Sequence, residues 1–81
     1  MIPAFTPGEV IETRRIRHGG SALRAVVLAS PRRYVVDATS TGGYLYVHPE
    51  GQARARWNAY IVDESDAHRP APGEIAQEYG R

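Results

Sequence analysis

One stretch constrains the fold more than any other: Ala53-Arg54-Ala55-Arg56-Trp57-Asn58-Ala59-Tyr60-Ile61-Val62. Its odd positions carry Ala53, Ala55, Trp57, Ala59 and Ile61, and its even positions carry Arg54, Arg56, Asn58 and Tyr60. Alternation with period two is the pattern of a strand with one buried and one solvated face. Tyr44-Leu45-Tyr46-Val47-His48 alternates in the same way, and Pro49-Glu50-Gly51 lies between the two runs. A three-residue turn with Gly51 in the left-handed position suits that spacer. It sets Tyr46 opposite Arg54, Tyr44 opposite Arg56 and His48 opposite Gln52 on the outer face. On the inner face it sets Val47 opposite Ala53 and Leu45 opposite Ala55, leading on to Trp57. A turn one residue shorter or longer would place the arginines in the core. The expected core is Trp57 surrounded by Leu45, Val47, Ile61, Val27 and Leu23, so Trp57→Ala should cost about 3–5 kcal/mol.

The chain has 81 residues, enough for one domain. A domain of this size removes only roughly 60–65% of its unfolded surface from water, so a single modest core is expected. With no cysteine there is neither a disulfide framework nor a cysteine-based zinc site. The longest apolar run, Ala25-Val26-Val27-Leu28-Ala29, is far short of a membrane span. Met1-Ile2-Pro3-Ala4-Phe5-Thr6-Pro7 lacks the basic and apolar regions of a signal peptide. The expectation is a soluble, cytoplasmic protein.

Net charge is +1, but its distribution is uneven. Residues 1–62 hold eight arginines against four carboxylates, and residues 63–81 hold two arginines against five. A basic body with an acidic tail suggests self-docking or an interaction patch. Every basic residue is Arg and none is Lys. Arg codons are mostly GC-rich and Lys codons AT-rich, so a high-GC bacterial or phage genome accounts for this more simply than selection for bidentate contacts.

Taken in order, Pro3 and Pro7 make an extended lead-in, with Ile2 and Phe5 placed to cover an open end of the core. Pro7-Gly8 marks a turn. Residues 9–16 read as a first strand whose apolar positions change parity between Ile11 and Ile16, which predicts a bulge or sharp bend. Residues 17–21 form a loop, 22–29 a second strand, 30–33 a turn around Pro31, and 34–38 a third strand. Residues 39–43 connect to the fourth strand, and residues 52–62 are the fifth. Short connections without an interior helix predict an antiparallel meander closing into a small barrel over residues 1–62. Residues 63–81 form an acidic, proline-containing extension. Residues 73–79 suit a short helix, with Ile75 and Tyr79 one turn apart and Gly80 as its stop. Such a helix is stable only when docked, so Ile75 and Tyr79 are expected to cover an apolar patch of the barrel or to order on a partner.

Pro7-Gly8-Glu9-Val10-Ile11-Glu12, followed through Gly19-Gly20 to Arg24-Ala25-Val26-Val27-Leu28, resembles the opening of SH3-like barrels of the KOW and Tudor/Agenet kind. The resemblance spans roughly residues 7–38 and implies an all-β, five-stranded antiparallel barrel. KOW modules contact RNA or the transcription and ribosomal machinery, and Tudor modules hold methylated side chains in an aromatic cage. Neither ligand transfers residue by residue. This chain lacks the several loop aromatics of a Tudor cage, and its glycine spacing differs from the KOW pattern.

The candidate binding surface is the outer face of the hairpin: Tyr44, Tyr46, Arg54, Arg56 and Tyr60, with His48 at its end. Aromatic planes interleaved with guanidinium groups suit a protein hot spot and also suit single-stranded nucleic acid. The bland alternative is a set of cross-strand cation–π pairs on an ordinary exposed face. A secondary basic patch comprises Arg14, Arg15, Arg17, Arg32 and Arg33. In a meander Arg17 falls at one end and Arg32 and Arg33 at the other, whereas nucleic acid prefers a continuous stripe.

No catalytic motif stands out. Ser21, Ser30 or Ser40 with His18 or His48 and Asp37 makes a triad only on paper, without a nucleophile elbow or oxyanion loop. Asp63, Glu64, Asp66 and His68 match no calcium-loop spacing and read as a solvated hinge. No metal or cofactor is expected. The sequence therefore points to a non-enzymatic protein-interaction module, with a KOW-like nucleic-acid binder as the alternative.

Overall fold

The computed structural model describes residues 5–18 and 21–70, with the side chains of 21–23 left aside. Its strands are β1 (Val10–His18), β2 (Ser21–Thr39), β3 (Tyr44–Pro49) and β4 (Tyr60–Asp63). All pair antiparallel, each with the next, and β4 returns to β1, so the four close a ring. The fold is all-β. Its only described helical pieces are two 3₁₀ turns, Arg56–Asn58 and Glu64–Asp66.

The chain enters through a turn in which the Glu9 amide donates to the Thr6 carbonyl at 3.1 Å. Pro7 and Gly8 occupy its centre, and Gly8 has φ +91°, a conformation that side chains with a Cβ disfavour. β1 then carries the expected parity change. Ile11 and Thr13 face inward, as does Ile16, with Arg14 and Arg15 exposed between them. The register explains why. Thr13 pairs with Arg32 and Arg15 with Val27, so residues 28–31 of β2 bulge out opposite Arg14 alone. Side chains compensate the interrupted ladder. Arg14 donates to the carbonyls of Leu28 (3.3 Å) and Ala29 (3.4 Å). The buried Thr13 hydroxyl bonds both the amide and the carbonyl of Arg15. Pro31, which has no N–H to offer a ladder, sits where none is needed. The expected turn at residues 30–33 is therefore a bend inside one long strand, and the second and third expected strands are two arms of β2.

Phe5, Ile11, Ile16, Tyr34, Val36, Leu45, Val47, Val62 and Ala67 form the core. Leu45 and Val47 lie where the alternation predicts, and Phe5 covers the core as expected. Ile61 is only partly buried, Val27 is 61% exposed, and Trp57 is 71% exposed. Leu23, Ile2, the expected helix at 73–79 and the docking residues Ile75 and Tyr79 lie outside what the structure describes.

The expected fifth strand is the main correction. β4 is short and pairs Leu45 with Val62 and Val47 with Tyr60, leaving residues 50–59 as a ten-residue loop. Gly51 does adopt the left-handed conformation (φ +86°), and the Gln52 amide closes a turn on the Pro49 carbonyl at 3.2 Å. The chain does not pair back on β3 there. The physical reason is side-chain size: opposite Val47 and Leu45, Ala53 and Ala55 would bury little area, whereas Tyr60 and Val62 bury far more in the same positions. Beyond β4 the wall continues. Ala67 enters the core, and His68 exchanges two backbone hydrogen bonds with Glu12 on the outer edge of β1.

Candidate functional site

Loop 50–59 is built around one buried polar side chain. Asn58, 1% exposed, accepts the Ala55 amide on Oδ1 at 2.8 Å. Its Nδ2 donates to the Ala53 carbonyl (2.9 Å) and to Gln52 Oε1 (3.4 Å). One amide group thus satisfies a turn's worth of backbone that has no strand partner. With Asn58 drawn inward, its neighbour Trp57 is turned to solvent on the same loop as the exposed Arg54 and Arg56. A tryptophan held outward on a pinned loop is the largest exposed apolar side chain of the molecule's described part.

The expected ladder between tyrosines and arginines is not formed. Tyr44 and Tyr46 do face outward from β3, but their partners on β4 are Asp63 and Ile61. The row continues from Ile61 to Arg17 of β1 and on to Ala25 of β2. Arg17 pairs with Asp63 at 3.3 Å, so the tyrosine face carries an ion pair of its own. Arg54 and Arg56 belong to the tryptophan loop instead. Tyr60 is removed from the outer face altogether. It lies opposite Val47 and meets Tyr34 and His18 edge-on, with ring centroids 5.9 and 6.0 Å apart. Its parity differs from the expected one because β4 pairs with β3 in another register.

The secondary basic residues are divided among different partners. Arg33 pairs with Glu12 (3.6 Å) and Glu50 (3.9 Å), and Arg14 holds the bulge. Arg15 and Arg32 are exposed. The Arg33 carbonyl accepts the Glu50 amide, so this group lies beside the turn at Pro49, away from the Arg17–Asp63 pair, in the two-ended arrangement expected of the meander.

His48 and Asp37, separate in the sequence, are joined. Asp37 bulges from the β2–β3 ladder and both its oxygens reach His48 Nδ1, at 2.8 and 2.9 Å. Among the described residues no hydroxyl completes a triad with this pair: the Ser40 hydroxyl accepts the amides of Gly42 and Tyr44 in the β2–β3 turn. No group of three His, Asp or Glu side chains among the described residues is arranged to hold a metal.

Two titrating groups depart from their ordinary values. The Thr6 amide and the Arg69 guanidinium hold the Glu9 carboxyl below the usual carboxylate range. Burial pushes the Tyr34 phenol up. Arg69 also lies over the Phe5 ring, 4.5 Å from its centroid, fastening the entering chain to the leaving one.

Sequence reasoning missed the tryptophan loop because it took Trp57 as an inner-face residue. The available signal was Asn58, a residue suited to bonding local backbone and unsuited to a strand centre. No family model, curated protein or solved structure matches the chain.

Proposed function

We propose that the chain is a small non-enzymatic binding module, of the SH3-like barrel type, that engages a protein partner through Trp57. It would serve as a cytoplasmic accessory or regulatory protein of a high-GC bacterium or phage. Counting the two arms of the bent β2 separately gives five strands, which supports the SH3-like reading. The observation that carries the functional reading is the exposure of Trp57 on a loop pinned by Asn58. Tryptophan is usually much buried, and Trp and Arg are the residues most enriched among interface hot spots. A loop ordered before binding loses less freedom on association than a mobile one. Tyr44 and Tyr46 offer a second, flatter surface.

A nucleic-acid reading rests on the same residues. The indole offers a stacking plane, and Arg54 and Arg56 offer charge for phosphates. Affinity purification from native lysate after nuclease treatment separates the two. One stoichiometric protein held by the wild type and lost by Trp57→Ala supports the protein reading. Loss of every partner on nuclease treatment sinks it. Trp57 is the only tryptophan, so its fluorescence also reports oligonucleotide binding directly. A saturable change that weakens steeply with salt would favour the nucleic-acid reading.

A further inference from the structure

The first arm of β2 is paired along one edge. Arg15, Ile16 and Arg17 of β1 pair with Val27, Val26 and Ala25, whereas the β3 ladder begins only at Tyr34. Among the described residues, the opposite edge of residues 24–28 has no strand partner, and no backbone hydrogen bond from a turn or loop reaches it. Such an edge presents a row of N–H and C=O groups to which an extended chain can add. The side chains along it are uncovered too. Val26 lies across from the buried Ile16, on the inner face by parity, yet is 55% exposed. Val27, on the outer face, is 61% exposed, and Leu28 packs against the core but is only partly buried. A further strand would cover apolar side chains on both faces.

Charge beside the edge decides what kind of strand fits. Arg15 shares the outer face with Val27, and Arg14, Arg15, Val27 and Pro31 line a groove of about 570 Å³ there. Arg24 stands exposed at the start of the edge. Arg14, Arg15 and Arg24 have no carboxylate partner among the described residues, since Glu12 and Glu50 pair with Arg33 and Asp63 with Arg17. Asp66 adds one negative charge to the groove lining. A second copy added edge to edge would bring two such arginine sets together, so charge selects an acidic partner over self-pairing. We propose that an extended segment of a partner protein, with carboxylates alternating with apolar residues, adds as a strand to β2 at residues 24–28. Its apolar side chains cover Val26 and Leu28, and its carboxylates lie over Val27 toward Arg15. The added backbone lies two strand spacings, about 10 Å, from β1, a gap that glutamate and arginine side chains close between them. Arg14, which takes the Leu28 and Ala29 carbonyls, and Pro31, which has no N–H, end the ladder on one side. This surface does not involve the Trp57 loop.

The test titrates the ¹⁵N-labelled full-length chain with a capped peptide of alternating glutamate and valine, about eight residues long. Saturable shifts are expected at the amides of residues 24–28, with hydrogen exchange slowed severalfold at alternate positions, as ladder formation requires. Arg15→Glu should weaken binding severalfold while the amides of Leu45 and Val47 stay in place. A lysine–valine peptide should not bind the wild type, nor should a peptide with its glutamates and valines in two separate blocks. Absence of binding overturns the proposal, as do shifts centred elsewhere or shifts at residues 24–28 without slowed exchange. Equal binding of the lysine or the block peptide overturns it too. Slow exchange at residues 24–28 in the free chain that grows with protein concentration would mark a second copy as the occupant. Slow exchange already complete in dilute free chain would mark another segment of the same molecule. Either result removes the partner strand.

Discussion

β3 and the loop that follows it are neighbours in the chain and treat their aromatic residues in opposite ways. β3 holds Leu45 and Val47 in the core and leaves Tyr44 and Tyr46 exposed on its outer face. The loop draws the polar Asn58 inward and leaves Trp57 almost free of the protein. In β3 the backbone is satisfied by ladders on both sides, so side chains are sorted by hydrophobicity alone. In the loop there is no ladder, and the first demand is a partner for orphan backbone groups. A buried amide meets that demand better than a buried indole. Backbone hydrogen bonding thus decides which side chain goes inside, and the apolar one is left available for contact.

The largest expected effect tests the β3 half of this contrast. Leu45→Ala empties a fully buried site and should cost about 2–5 kcal/mol, measured by denaturant unfolding. Asn58→Ala removes the pin of the loop. Leaving buried backbone groups unpaired should cost about 1–3 kcal/mol. The same variant should lower Trp57 fluorescence anisotropy while the far-ultraviolet β signal is retained; unchanged anisotropy would show that something else orders the loop. Gly51→Ala meets open space at its Cβ, so its whole effect is backbone strain at φ +86°. About 1–2 kcal/mol is expected.

Trp57→Ala should be close to neutral for folding, within about 0.5 kcal/mol. A loss of 3 kcal/mol or more would restore Trp57 to the core and break the comparison outright. The smallest effect concerns the entry turn. Folding lowers the Glu9 pKa, so the unfolded chain binds that proton more readily. The stability it contributes is complete above the ordinary value of 4.5 and is lost as pH falls through the lower folded value. Glu9→Gln should flatten that part of the acid limb in a pH series of thermal unfolding.

Much of this was legible in the residues. The all-β class followed from period-two patterning and turn chemistry, both local properties. The irregularity between β1 and β2 was visible as a parity change between Ile11 and Ile16, because a strand cannot turn over without an extra residue on one side of the ladder. Pro7-Gly8 and Gly51 announced their turns through conformations that other residues avoid. Leu45 and Val47 were correctly placed inside because their neighbours are too polar to compete.

Pairing was decided only by the tertiary structure. Alternation states that one face is buried, and it does not state which strand lies opposite. Residues 53–59 and 60–63 offered competing partners for β3, and the choice turned on the area that each would bury against Leu45 and Val47. That comparison needs the whole barrel, including Ala67 and the Glu12–His68 bridge that completes its wall. The joining of His48 to Asp37, and the gathering of Arg14, Arg15 and Val27 at one groove, likewise come from register between distant segments. The sequence by itself determined the strands' character and the places where the chain turns. Which residues meet across the sheet, and therefore that Trp57 faces water, was set by the competition for pairing, which no single segment contains.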